Sequence, residues 1–278
     1  MRSDIRFRYP VGLPALRALA VLLLLTGLAA LAGCSTSDER EAEKADGLAR
    51  VQQAGEISFA MSGGYPPFNF YNDKNELAGF DVDVCREVAK RLGVDFKPVT
   101  TEWSGIIEGL RSGAYDGILG SMAATAERAE VVDFTVPYYY SGAQVLVRKD
   151  APYKSVDELK GKVVGLVTGT TFENDAKSLG AGDIRLYKDD TQTLTELDNG
   201  VVDAVITDRV VGATAAGSGK FAIRPLGTPL RSENIAVALR KDDDTLRDKL
   251  DAILTAMHDD GTLAAISRKW LGTDITGK

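Results

Sequence analysis

From Glu56 onward the chain alternates short apolar strands with amphipathic helices, and this alternation confines it to an α/β fold. Residues 57–61 read as a strand, 80–92 as a helix stopped by Gly93, 95–99 as a strand, 103–111 as a helix and 116–119 as a strand. Strands separated by helices of roughly 10–15 residues pair in parallel and carry helices on both faces. After residues 138–142 the pattern restarts. Strands are expected at 143–148, 162–167, 184–187, 203–206 and 221–225. Helices are expected after Gly169, over 192–197 with Gly200 as the stop, and from Thr207-Asp208. Residues 235–239 with Arg240-Lys241 echo 145–147 with Arg148-Lys149, so two similar strands flank the second series and predict a paired crossover between lobes. Helices over 245–257 and 262–271 then return to the first lobe.

Ahead of this pattern, Arg2, Arg6, Arg8 and Arg17 precede an uncharged, leucine-rich run at 18–33 that ends Leu31-Ala-Gly-Cys34. A basic start, an apolar centre and small residues at the end mark an export signal. The alternative is a transmembrane anchor, for which the run is short, since a span takes about 20 apolar residues. Leu31-Ala-Gly-Cys34 resembles the lipobox of bacterial lipoproteins, which implies cleavage before Cys34 and its acylation. Residues 34–54 are polar and charged and are expected to be a flexible tether. Cys85 is then left without a partner, so no disulfide is expected. It falls on the apolar helix face with Val84, Val88, Ala89 and Leu92 and reads as a small buried hydrophobe.

Removing residues 1–33 takes the formal charge from −7 to −10, a poor balance for binding nucleic acid. With a single histidine, His258, a serine–histidine triad or multi-histidine metal site is hard to build, and His258 is expected at the surface. Neither a metal nor another cofactor is expected. Gly117-x-x-Gly120 lacks the lysine and hydroxyl of a phosphate loop.

The stretch from Asp116 to Arg128 carries the most chemistry. A strand ends at Ile118-Leu119, Gly120-Ser121 leaves backbone open, and Thr125 can cap a short helix bearing Arg128. Open amides and a guanidinium suit a carboxylate. On these residues alone, an ordinary surface helix start with an arginine salt bridge fits as well.

Seven motifs in order shift that balance: Tyr65-Pro-Pro-Phe68, Gly79-Phe-Asp-Val-Asp83, Ser112-Gly-Ala-Tyr-Asp116, Thr125-Ala-Glu-Arg128, Val132-Asp-Phe-Thr-Val-Pro137, Gly169-Thr-Thr171 and Asp259-Asp-Gly-Thr262. Together they resemble the polar amino-acid-binding, family 3 solute-binding proteins of ABC importers, over about residues 55–272. The resemblance implies a two-lobe periplasmic-binding-protein-like fold (type II), with mixed sheets flanked by helices and two hinge strands. Residues 55–142 and 237–278 would form lobe 1, and 143–236 lobe 2. Arg128 would grip the ligand α-carboxylate, aided by backbone amides at Ala123 and Thr171. Asp208 would take the α-ammonium with Gly120 or Ser121. Tyr65 and Trp103 would stack on the ligand, and Phe68 and Ser62 would complete the lining. A capping box between Thr170 and Glu173 would leave further amides free.

Three departures bear on specificity. Ala123 replaces the usual Thr or Ser, Ser62 stands where binders of basic amino acids carry aspartate, and Phe172 replaces a frequent polar residue. These favour an uncharged or sulfur-containing amino acid. The expected partners are an ABC permease and ATPase, with the chain a monomer held by lipid on the extracytoplasmic face of the membrane. Two rivals use the same fold. One is a cyclohexadienyl-dehydratase-like enzyme with Glu173 as its acid, and the other is a sensor lobe that signals to a separate receptor.

Overall fold

The structure, a computed structural model, describes residues 46–277. The expected export signal, the expected lipidation site Cys34 and the first part of the expected tether lie outside the described residues. The tether itself ends sooner than expected, because Gly47–Ala54 is a helix, α1. Asp46 caps it, Gly55 ends it in the left-handed conformation, and Val51 is buried at 1% exposure. The charge at Arg50 is not free to solvate a linker, since its guanidinium pairs with Asp243 at 3.2 Å and Asp116 at 3.4 Å.

The chain continues as β1 (Glu56–Met61), β2 (Gly64–Tyr65), β3 (Asn69–Tyr71), β4 (Leu77–Ala78), α2 (Phe80–Leu92), β5 (Asp95–Thr100), α3 (Ile106–Arg111), β6 (Gly117–Ile118), α4 (Ala126–Ala129) and β7 (Val132–Phe134). It crosses over in β8 (Tyr139–Arg148), then forms β9 (Val163–Val167), α5 (Phe172–Ser178), β10 (Asp183–Tyr187), α6 (Asp190–Asp198), β11 (Ala204–Asp208), α7 (Arg209–Gly217), β12 (Ile223–Pro225) and β13 (Arg231–Ile235). It returns as β14 (Ala238–Arg240), α8 (Asp244–Asp259) and α9 (Thr262–Leu271).

Two mixed sheets result, one for each lobe. The first runs β5-β1-β6-β14-β7, parallel at β1 and antiparallel at β14. The second runs β10-β9-β11-β8-β12, with β13 also on β8. The alternating run at 235–239, expected as one strand, divides between the two sheets. Ile235 ends β13 in the second sheet and Ala238 begins β14 in the first. Ala236 and Val237, both buried, form the crossing itself.

The two crossings hold each other. Thr135 N–H donates to the Val237 carbonyl, Val237 N–H donates to the Thr135 hydroxyl, both at 3.0 Å, and Tyr138 N–H donates to the Ile235 carbonyl at 2.9 Å. His258, expected at the surface, is half-buried, with Nε2 3.0 Å from the Pro137 carbonyl beside this crossing. Each sheet buries both faces. In the first lobe, Ile57, Phe59 and Met61 pack with Val84, Cys85 and Val88 of α2, while Ala60 and Ile118 face Ile106 and Leu110 of α3. Cys85 is fully buried, and burial raises its thiol well above the ordinary value.

Candidate ligand-binding site

The strand ends of both lobes face one cleft, as expected for crossover sheets, where ligands sit outside the carboxyl ends. Ser62, Tyr65, Trp103, Gly120, Ser121, Ala123 and Arg128 line it from the first lobe. Val167, Thr170, Thr171, Phe172, Lys188, Asp189, Asp190, Asp208 and Glu233 line the opposite side.

The Arg128 turn forms as the sequence suggests. Thr125 caps α4 by accepting from Arg128 N–H at 3.2 Å. The preceding backbone is tied to the second crossing: Ala124 N–H donates to the Asn234 carbonyl at 2.9 Å, and Ala236 N–H to the Met122 carbonyl at 3.1 Å. The Arg128 guanidinium lies 5.7 Å from the Trp103 ring centroid, a cation–π contact. It donates to the carbonyls of Ala123 at 3.0 Å and, across the cleft, Gly169 at 3.3 Å. Among the described residues no carboxylate pairs with it. Burial lowers its pKa, against the opposing charges of Glu233 and Glu127.

Gly120 and Ser121 have different constraints. A Cβ at Gly120 would sit 3.0 Å from the Met61 Cα, so only glycine lets β1 pass so closely. Ser121 has φ of 62°, a left-handed conformation that is unfavourable for a residue with a side chain. A buried polar network holds it there. Ser121 N–H donates to the Tyr138 hydroxyl at 2.9 Å, and Ser121 Oγ donates to Asp81 Oδ2 at 2.8 Å. Tyr138 donates in turn to Asp81 Oδ1 at 2.7 Å, and Asn69 Nδ2 donates to Oδ2 at 2.7 Å. The Asn69 carbonyl oxygen accepts from Ser62 Oγ at 3.1 Å and Gly63 N–H at 2.9 Å. One fully buried carboxyl therefore positions both cleft serines. Burial pushes Asp81 up to about 6, although Tyr138, Asn69 and Ser121 all pull it down.

Phe68 is not a lining residue. It is fully buried and stacks between Tyr65 at 5.4 Å and Tyr139 at 5.1 Å, with Phe80 edge-on at 5.9 Å. The loop carrying it folds inward onto this aromatic group, so Phe68 supports Tyr65 from behind. The capping box expected between Thr170 and Glu173 is also absent. The Thr170 hydroxyl donates to the Val167 carbonyl at 2.7 Å, and the Glu173 carboxylate reaches back to Gly169 N–H at 2.8 Å. Thr171, in the α-helical conformation, stands at the helix start instead, and its hydroxyl donates to Glu233 at 2.7 Å. Glu173 thus shapes the Gly169 turn and is not among the lining residues of the main cleft.

Asp208 serves two purposes. Its Oδ1 caps α7, accepting from Val210 N–H at 2.7 Å, and its side chain also borders the cleft at 2% exposure. Burial pushes it up to about 6, opposed by the Val210 amide.

Three further acids escaped the sequence reading. Asp189 caps α6 through Gln192 N–H at 2.8 Å. Asp190 accepts from the Thr207 hydroxyl, and burial pushes it up to about 7. Glu233 is held by Arg231 at 2.7 Å, and Arg231 forks onto Asp175 at 2.9 and 2.8 Å. A signal for the first two was available: they follow β10 at the same sheet edge where Gly169–Thr171 follows β9. At the lips of the cleft Lys188 pairs with Glu102 at 2.8 Å, joining the lobes through two exposed side chains.

Two α/β lobes, a paired crossing and a charged cleft between them define a solute-binding protein of the periplasmic-binding-protein-like, type II architecture. The chain belongs to the bacterial extracellular solute-binding proteins, family 3, whose family model matches residues 57–273. It is 34% identical over 232 residues to the L-cystine-binding protein TcyJ of Escherichia coli K12, covering 82% of this chain and 87% of that one. It is 34% identical over 265 residues to the probable amino-acid-binding protein YxeM of Bacillus subtilis 168, covering 92% of this chain and 96% of the relative. Among solved structures, the ancestral amino acid-binding protein AncCDT-1, a precursor of cyclohexadienyl dehydratase, matches with a TM-score of 0.76 and 32% identity. That match covers 81% of this chain and 99% of the other. These relatives are binding proteins rather than enzymes.

Proposed function

We propose that this chain captures a free amino acid in the interlobe cleft and delivers it to an ABC permease and its ATPase, from a lipid anchor at Cys34. The observation that carries the reading is Arg128, a cleft guanidinium with no carboxylate partner among the described residues, lining the same cleft as the buried Asp208 carboxyl of the second sheet. An α-carboxylate fits the first and an α-ammonium the second. The relatives named for cystine and amino-acid binding agree with this chemistry.

Arg128 would take the carboxylate, with the Ala123 and Thr171 backbone beside it. Asp208 would take the ammonium together with Ser121 or the Gly120 carbonyl, and Tyr65 and Trp103 would cover the ligand body. Charge-assisted hydrogen bonds contribute roughly 1.5–3 kcal/mol each, and micromolar affinity needs about 8 kcal/mol net. A few such bonds suffice and still allow release. Because the two charges belong to different lobes, only the closed form satisfies both, so ligand binding favours closure. The permease would read closure as the loaded state.

Titration calorimetry of the purified chain against the free amino acids and cystine tests this. At least one is expected to bind, and to lose its affinity in Arg128→Ala and Asp208→Asn. A chain that binds none of them, or a ligand held equally by the double variant, overturns the reading.

A further inference from the structure

The cleft holds more acid than an α-amino acid backbone can use. Matching charges removes most groups in turn. Glu233 is paired with Arg231, and Lys188 with Glu102. On the reading above, Arg128 is matched by the α-carboxylate and Asp208 by the α-ammonium. Asp189 and Asp190 remain, neither of them in an ion pair among the described residues, since the neighbouring Lys188 is engaged by Glu102. Asp189 spends one oxygen on capping α6 and is only half-buried, so its ionised form is the less costly of the two. Asp190 is different, since it is 6% exposed, and its Oδ1 accepts from Thr207. Its Oδ2 has no protein donor among the described residues, and the side chain borders the cleft. A carboxyl so buried is costly to ionise unless something supplies a donor or a positive charge.

The position of this acid indicates which part of a ligand it meets. Asp189 lies directly against Gly64, where a Cβ would come within 3.2 Å of the Asp189 Cβ. The Asp189-Asp190 pair therefore faces the Ser62–Tyr65 side of the first lobe. Arg128 and Ala123 stand on a different segment, beside the Gly169 turn. An amino acid gripped at Arg128 and Asp208 extends its side chain over the remaining wall, which is acidic at its base and aromatic at Tyr65.

We propose that Asp190 is a specificity-determining residue that selects amino acids carrying a second amino group, as in lysine, ornithine or the far half of cystine. The proposal rests on the amino-acid reading above and revises the expectation, based on Ser62, that amine-bearing side chains are disfavoured. In this chain the acid is supplied by the second lobe rather than by position 62. A donor at Oδ2 would complete the coordination of the carboxylate, and its charge would draw Asp190 down from about 7.

The test compares matched probes on the full chain by calorimetry: ornithine with norvaline, lysine with norleucine, and cystine with S-methylcysteine. In the native chain at least one amine-bearing probe is expected to bind about tenfold or more tightly than its match. In Asp190→Asn, which keeps an acceptor for Thr207, that preference is expected to fall to about one while binding of the matched neutral probe persists. Preference for cystine alone or for lysine or ornithine alone supports the proposal equally and fixes the spacing.

A second measurement needs no variant. The preference ratio is expected to grow between pH 5.5 and 8 as Asp190 ionises. Asp208, Asp189 and the Tyr65 hydroxyl also face Asp190, but Asp208 serves the α-ammonium of both probes and so cancels from the ratio. Equal affinities for matched probes in the native chain overturn the proposal and leave the amino-acid reading intact. So does a preference that Asp190→Asn leaves unchanged. Failure of every amino acid to bind overturns both.

Discussion

The two walls of the cleft carry buried acid in opposite ways. In the first lobe Asp81 is sealed behind the wall, where three side chains donate to it, and its effect reaches the cleft only through Ser121 and Ser62. In the second lobe Asp190 and Asp208 border the cleft directly, and each uses one oxygen on its own fold. The first wall is thus a prearranged surface with one cation, and the second is a largely anionic surface whose hydrogen bonding, on the proposed function, a ligand would complete. On the proposed function, a zwitterion held between them would close the gap, because neither wall can satisfy both of its ends.

The largest break in this comparison is Arg128→Ala, which removes the one charged side chain among the described first-lobe residues that line the cleft. Affinity is expected to fall at least a hundredfold, about 3 kcal/mol, with little change in the unfolding midpoint of the ligand-free chain. Calorimetry together with urea unfolding separates the two effects. Next comes Tyr138→Phe. It leaves Asp81 one donor short and Ser121 N–H without its acceptor, so both stability and affinity are expected to drop, stability by about 2–3 kcal/mol. A variant that keeps full affinity would show that the network does not position Ser121.

Proton linkage sharpens the contrast between the walls. Asp81, Asp190 and Asp208 sit at about 6, 7 and 6 when folded, against 3.8 for the ordinary carboxyl. A raised folded value means that the folded state holds the proton more tightly. The stabilisation is complete below about pH 4 and is lost as pH rises through 6 to 7, by about 1.4 kcal/mol per pH unit for each group in its window. Melting temperatures of the ligand-free chain from pH 4 to 8 are expected to flatten in Asp190→Asn/Asp208→Asn more than in Asp81→Asn. Saturating amino acid should flatten the native profile as well, since an ammonium favours the ionised Asp208. The smallest effect is expected from Lys188→Gln. An exposed pair contributes about 0–1 kcal/mol, so ligand release should quicken only slightly and the difference should vanish in high salt.

Much of this arrangement could be read from the residues. Helix α2, with Phe80 at its start and Gly93 after its end, matches the expected bounds, because its apolar period and glycine stop agree. Arg128 and its Thr125 cap were legible from local spacing. Phe68 was not, since the motif gives the loop but not the inward turn that buries its ring against Tyr139. Asp190 was hidden for a different reason. In sequence it belongs to an unremarkable Asp189-Asp190 helix start, and its burial comes with a tertiary contact, the hydrogen bond from Thr207 of strand β11. The single alternating run at 235–239 concealed a change of sheet, because a crossing between lobes keeps the same apolar period as a strand.

The bridge between Glu102 and Lys188 has a practical reach. Its two residues sit on facing lips, and Cys85 is shut inside the core, where a labelling reagent cannot find it. With Cys34 replaced, cysteines installed at 102 and 188 become the attachment points for a pair of dyes. The distance between those dyes would then convert the concentration of a nutrient into a change of colour, making the chain the front end of an optical sensor.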